Sequence, residues 1–160
     1  MKATRPRTLE TSDVWLTPKY IIDDIGPFDL DPCTEKVRPW PTADSHFTLI
    51  DDGLVQDWFG FVWCNPPYGS QTQHWLKKMA EHNNGVALVF ARTETKMFFE
   101  SVWPKAQAIF FIQSRIKFCF PDGRQARENC GAPSVLVAYG KEAVRRLENS
   151  QLLGKLIYIK

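Results

Sequence analysis

The stretch Phe61-Val62-Trp63-Cys64-Asn65-Pro66-Pro67-Tyr68-Gly69 carries the residues best suited to do chemistry. An apolar run reads as a strand and stops at two prolines, which fix φ near −65° in succession and remove two backbone donors. Pro66 also keeps Asn65 out of helical geometry. What remains is a stiff turn offering a side-chain amide, carbonyls without a competing Pro N–H, and an aromatic ring. Such a set suits a planar amino group, whose nitrogen is a poor nucleophile because its lone pair is delocalised. The Asn65 and Pro66 carbonyl oxygens can each accept one of its hydrogens. They would favour a pyramidal nitrogen and stabilise the positive charge that develops as it attacks an electrophile. Tyr68 would stack on the ring that bears the amine. The alternative is a proline-stiffened strand end with a buried tyrosine.

Two other segments offer polar groups at the ends of predicted elements. In Trp15-Leu16-Thr17-Pro18, Thr17 can cap a short helix and Pro18 fits its first turn, with Ile21, Ile22 and Ile25 as its apolar face. A helix N-terminus there can also hold a carboxylate. Phe28-Asp29-Leu30-Asp31-Pro32-Cys33 alternates apolar and acidic and then stops at proline, which predicts a strand delivering Asp31 to a loop. An acid in that position suits an ammonium, a sulfonium or ribose hydroxyls. The alternative is an edge strand with a charged outer face.

The elements that must position these residues follow from hydrophobic period. Residues 34–46 read as irregular, Phe47-Thr48-Leu49-Ile50 as a brief strand, and Asp51 to Leu54 as a turn. Gln71 to Asn83 has apolar residues at helical spacing and stops at Asn83-Asn84-Gly85. Val86 to Ala91 is continuously apolar, as a strand buried on both faces requires. A helix is expected over roughly 95–103, strands at Ala108–Ile112 and Ser134–Tyr139, a helix over 141–150, and a last strand at Leu156–Ile159. Arg115 to Phe120 alternates, with Ile116, Phe118 and Phe120 on one face, ahead of a polar loop at 121–133. Strands alternating with helices predict an α/β fold with a mostly parallel sheet and an antiparallel edge.

Charge is unevenly placed. Residues 1–70 hold 6 Lys/Arg against 11 Asp/Glu, and residues 71–160 hold 14 against 7, an asymmetry that points to a nucleic-acid partner or to two differently charged solvated faces. Arg92, Arg115, Lys117, Arg124 and Arg127 are the expected phosphate contacts. Lys2, Arg5 and Arg7 with Pro6 and little apolar content predict a flexible basic arm at 1–12, and the chain length predicts a single domain over 13–160. No apolar run approaches the ~20 residues of a membrane span and no signal-peptide pattern is present, so a cytoplasmic protein is expected. Cys33, Cys64, Cys119 and Cys130 show no C-x-x-C spacing and make a poor zinc set with the scattered His46, His74 and His82. No metal is expected, and the histidines read as bland.

Taken in order, Trp15 to Pro18, Phe28 to Cys33, and Asp52-Gly53-Leu54 through Asn65-Pro66-Pro67-Tyr68 resemble the phage-type DNA N6-adenine methyltransferases of the Dam-like family. The likeness continues through Ala91-Arg92-Thr93 and Ser114 to Phe118, covering roughly residues 14–140. Asn-Pro-Pro-Tyr alone is shared with other amino-group methyltransferases; the ordered set is more specific. The resemblance implies a compact Rossmann-like fold that uses S-adenosyl-L-methionine to methylate N6 of adenine in DNA, in a phage or restriction–modification setting. A phage-encoded enzyme would work in the host cytoplasm, as a monomer or homodimer. It assigns cofactor binding to Trp15, Thr17, Pro18, Asp29, Asp31, Pro32, Cys33, Asp52 and Leu54. Thr17-Pro18 would take the methionine end and Asp52 the cofactor's adenine. It assigns the target base to Asn65, Pro66, Pro67 and Tyr68. The chain departs from the larger enzymes in having no G-x-G after Asp31. Only 18 residues separate Cys33 from Asp52, so Glu35 or Asp44 would serve the ribose. Glu94 stands where an aspartate is frequent, and Met97 where an aromatic is common. The rival readings are methylation of another planar amino group, in RNA or on a protein glutamine, and an inactive nucleic-acid-binding relative.

Overall fold

A computed structural model describes residues 15–160; the basic arm expected at 1–12 lies outside the described residues. Among the described residues seven strands make one sheet: β1 (Leu30–Asp31), β2 (Ser45–His46), β3 (Val62–Cys64), β4 (Gly85–Phe90), β5 (Ala108–Ile112), β6 (Ser134–Tyr139) and β7 (Gly154–Tyr158). Their order is β2-β1-β3-β4-β6-β5-β7, with parallel pairing from β2 to β4 and antiparallel pairing from β4 through β6 and β5 to β7. The antiparallel part is therefore half of the sheet, wider than the edge expected from the sequence. β6 inserts between β4 and β5, pairing Val86 with Ala138 and Ala108 with Ala138.

Helices cover both faces: α1 (Lys19–Ile25), α2 (Thr72–His82) and α3 (Lys141–Glu148), with a π-helical turn at Phe98–Val102. The alternation along each strand sorts the core into two layers. Trp63, Val86, Leu88 and Leu136 pack with Ile21 and Ile25 of α1 and Leu147 of α3. Val62, Cys64, Ala87 and Val89 pack with Leu76 and Met79 of α2 and Phe98 of the π-helical turn. Burial of β4 on both sides is why its sequence is continuously apolar. α2 ends where Asn83 takes the left-handed conformation at φ 54° and returns its N–H to Met79 O. Arg146 ties α3 to the chain entering β1: it donates to Ile25 O and Pro27 O and stacks 4.0 Å above the Phe61 ring.

One local expectation is corrected and two are refined. The strand expected at Phe47–Ile50 is a turn, and the edge strand forms earlier, at Ser45–His46. The Thr48 N–H and hydroxyl both bond the Asp51 carboxylate, at 2.7 and 2.9 Å, and this local pairing outcompetes a ladder. It leaves Leu49 and Ile50 96% and 82% exposed. The helix expected over roughly 95–103 forms at 96–102, with its residues Phe98–Val102 widened into a π-helical turn closed by Trp103 N–H on Phe98 O. Among the described residues the alternating segment 115–120 makes single bridges, through Cys119 to Leu16 and to Gln125, and Ile116 and Phe118, expected on one face, are both buried.

Candidate active site

Successive strands reverse their direction of progress at β1: β2 lies on one side of it and β3 on the other. Ligands bind open α/β sheets at the carboxyl ends of strands at such a switch point. Here that edge carries Asp31-Pro32-Cys33 after β1 and Asn65 to Tyr68 after β3. A cleft of about 760 Å³ opens between them. Because β6 runs opposite to β4, with Phe90 against Ser134, the connection 113–133 between β5 and β6 leaves the same edge.

Asn65 is the polar centre of the cleft. Its amide nitrogen donates to Thr17 Oγ1 at 3.1 Å, which fixes the plane of the amide. Its Oδ1 is buried and has no hydrogen-bond partner among the described residues. A buried acceptor left unpaired costs roughly 1–3 kcal/mol, so such atoms stand out as ligand-directed. Thr17 therefore does not cap α1, as its place before Pro18 suggested; the residue preceding that helix is Pro18, with no side-chain cap. Thr72 Oγ1 donates to Pro67 O at 2.6 Å and binds the proline turn to the start of α2. Tyr68 stacks on Phe90, at the end of β4, with ring centroids 4.4 Å apart and planes within 5°. Phe118 meets the Tyr68 ring edge-on at 6.4 Å. Tyr68 remains 43% exposed, and burial of its hydroxyl end holds the phenol neutral, with a raised pKa.

On the other side of the cleft, Asp31 is 4% exposed. It accepts from Thr42 Oγ1 at 2.5 Å and from Cys33 N–H at 3.1 Å. Burial lifts its carboxyl pKa from 3.8 to about 6, against the opposing pull of those hydrogen bonds, of Thr34 and of the Arg38 charge. Cys33 Sγ lies 3.7 Å from Cys64 Sγ and donates to Asn65 O at 3.3 Å. The neighbouring Cys64 thiol and burial raise the Cys33 pKa well above its usual value, so it is a thiol and not a nucleophile at neutral pH. The 47–60 segment closes the cleft because Gly53 packs against the preceding loop. A Cβ there would fall 2.0 Å from Pro32 O. Lys78 of α2 holds this segment by donating to Leu54 O and Gln56 O, and Trp58 by donating to Gly53 O at 2.8 Å.

The expected residues thus divide. Trp15, Thr17, Asp31, Pro32, Cys33, Asp52 and Leu54 line the cleft together with Asn65, Pro66, Pro67 and Tyr68. Asp52 sits at φ 52° and accepts from Leu54 N–H at 3.3 Å. Pro18 and Asp29 do not line the cleft. Asp29 belongs to the opposite edge of the sheet, where its carboxylate accepts Phe61 N–H at 2.6 Å beside Gly60 at φ 64°. Of the two acids expected for a ribose, Glu35 lines the cleft and Asp44 does not.

The expected phosphate contacts Arg92, Arg115, Lys117, Arg124 and Arg127 are all exposed and lie outside the cleft, on connections leaving its edge. Arg92 stands over the Phe90 ring at 5.7 Å. Arg124 pairs with Asp122 at 2.6 Å and stands 5.4 Å over Phe120, whose ring meets Trp15 at 5.2 Å. Gly123, at φ 89°, packs against Pro39 and Trp40, so the loops 34–46 and 121–133 meet beside the cleft. Sequence reasoning missed Arg38, Trp40 and Thr42 in the first of these loops, and Phe90 as the partner of Tyr68. An aromatic closing an apolar run ahead of Arg92 was the available signal for Phe90. Among the described residues no three His, Cys, Asp or Glu side chains are grouped so as to share a metal ion.

A family model described as DNA N-6-adenine-methyltransferase (Dam) matches residues 5–149. No curated protein and no solved structure gives a significant match.

Proposed function

We propose that this chain, which belongs to the DNA N-6-adenine-methyltransferase (Dam) family, is an active S-adenosylmethionine-dependent enzyme with its methyl-transfer site at the Asn65 end of the cleft. The unpaired Asn65 Oδ1 carries the reading: a rigid, buried acceptor is what a planar amino group needs. The residues present fit the cofactor. The cleft has the size of a cofactor site, roughly 300–1,000 Å³, and pairs a buried carboxylate on one side with the acceptor on the other. The strand order and its switch point support the Rossmann-like arrangement that the resemblance implies.

S-adenosylmethionine supplies, when bound, a methyl group activated by a sulfonium. Asp31 contributes the negative charge toward that cationic ligand. Glu35, which lines the cleft, would serve the ribose hydroxyls and Asp52 an adenine amino group. Asn65 Oδ1 and Pro66 O accept the two N6 hydrogens of the target adenine and draw its nitrogen toward a tetrahedral geometry. Thr17 keeps the Asn65 amide from turning away. Tyr68, backed by Phe90, offers its exposed ring face for stacking, which repays part of the cost of taking a base out of a duplex. An amide takes no proton, so the N6 proton leaves to solvent once the methyl group is in place.

The cations at 92, 115, 117, 124 and 127 hold phosphates at the cleft's edge, and sequence is read by loops such as 34–46 and 121–133 or only weakly. Incubation of the purified chain with labelled cofactor and DNA, RNA or protein, followed by nucleoside and amino-acid analysis, tests this. N6-methyladenine in DNA is the expected product; label in RNA or glutamine alone, or none, contradicts it.

A further inference from the structure

We propose that His46 is a positioning residue for Asp31: its ring holds the Thr42–Ala43 turn so that the Thr42 hydroxyl stays on the Asp31 carboxylate. The inference rests on the reading of Asp31 as the carboxylate that faces the cofactor.

His46 ends β2 and is the register partner of Asp31 on β1. Its Nε2 lies 3.3 Å from both Thr42 N and Ala43 N. Both partners are backbone N–H donors, so Nε2 accepts and the ring proton sits on Nδ1. The imidazole thus closes the turn on itself from four residues along the chain. The product of that closure is one hydrogen bond, Thr42 Oγ1 to Asp31 Oδ2 at 2.5 Å. Asp31 is almost fully buried, and with Cys33 N–H on its other oxygen its orientation depends on both partners.

Protonation would end the arrangement, because an imidazolium has two donors and no acceptor to offer two N–H groups. The charged groups about the ring are Arg38, which disfavours a second positive charge, Asp44, which favours it, and Asp31 on the neighbouring strand. Burial and Arg38 prevail and keep the ring neutral at working pH. As pH falls, His46 and Asp31 each gain a proton, and the site loses both its carboxylate and the turn that orients it.

The test is calorimetric titration of the full chain with S-adenosylhomocysteine. At pH 7.5, His46→Leu and Thr42→Val should each weaken binding about tenfold, the equivalent of one hydrogen bond to a charged group. His46→Gln, which keeps an acceptor at similar reach, should stay within about threefold of wild type. As pH is lowered, the wild type should lose affinity more steeply than His46→Gln, which has one titrating group fewer. Wild-type affinity in Thr42→Val, or equal losses in His46→Gln and His46→Leu, overturns the proposal. If His46→Leu does not fold, the pH comparison of His46→Gln with wild type decides it, and an equal pH dependence in the two overturns the proposal. A wild type that binds no S-adenosylhomocysteine would sink the cofactor reading itself. Binding that is indifferent to these variants sinks only the role of His46.

Discussion

Replacing Asp31 by asparagine should make the protein more stable while impairing the site. Burial holds the Asp31 carboxyl at about 6, against 3.8 for an exposed group. The folded chain therefore keeps this proton over a range in which the unfolded chain has released it. Stability falls as pH rises from about 4 to about 6, and the deficit is complete above that window. At about 1.4 kcal/mol per pH unit, the ionised carboxylate costs the folded state roughly 3 kcal/mol at neutral pH. Asparagine has the same shape. Its oxygen can accept from Cys33 N–H, and its amide can donate to a Thr42 hydroxyl that now turns to accept. Allowing for imperfect replacement, Asp31→Asn should gain about 2 kcal/mol at pH 7.5, or roughly 5 °C in melting temperature for a chain of this size. Near pH 4 the gain should vanish, since both side chains are then neutral. Urea unfolding of the two proteins at both pH values measures this, and calorimetry with S-adenosylhomocysteine should show at least about a tenfold loss of affinity. A variant less stable than wild type at pH 7.5, or equally stabilised at both pH values, would refute the reasoning.

Gly53→Ala should weaken S-adenosylhomocysteine binding about tenfold or more, because its Cβ would displace either the 47–60 segment or the Pro32 carbonyl from the cleft wall; unchanged affinity would show that the loops part without consequence. Phe90→Leu should slow single-turnover methyl transfer about threefold to tenfold, in line with a stacked aromatic pair. It should leave cofactor binding intact, with Phe90→Tyr near wild type. DNA binding followed against salt should show the log–log slope falling by about one for each of Arg115→Ala and Lys117→Ala. A slope unmoved in both places the phosphates elsewhere.

The parts of this fold carried by strong local patterns were legible in the sequence. The continuous apolar run Val86 to Ala91 read as a strand covered on both faces, which forms at Gly85–Phe90, and the two prolines after Asn65 read as the end of one. What the sequence hid depended on contacts between distant residues. Thr17 looked like a helix cap because it precedes Pro18; its hydroxyl instead serves Asn65, 48 residues on. Asp29 and Asp31 share one short segment, but they stand at opposite ends of the two-residue strand: Asp31 faces the cleft at its carboxyl end and Asp29 secures the far edge. Phe47 to Ile50 is apolar enough for a strand and was overruled by one carboxylate, Asp51, which accepts two hydrogen bonds from Thr48. His46 carried no motif spacing at all, since its partners are backbone N–H groups that no side-chain pattern records.

The central claim is that the unpaired Asn65 oxygen acts on an adenine amino group during methyl transfer. Interactions stronger in the transition state than in the ground state change the rate of chemistry and leave binding largely alone. Single-turnover transfer from tritiated cofactor to DNA, compared between wild type and Asn65→Ala, measures this directly. The expected result is a fall of roughly two to three orders of magnitude, with S-adenosylhomocysteine affinity retained. Transfer at the wild-type rate by Asn65→Ala would mean that the proline turn is structural and that the methyl-transfer site lies elsewhere.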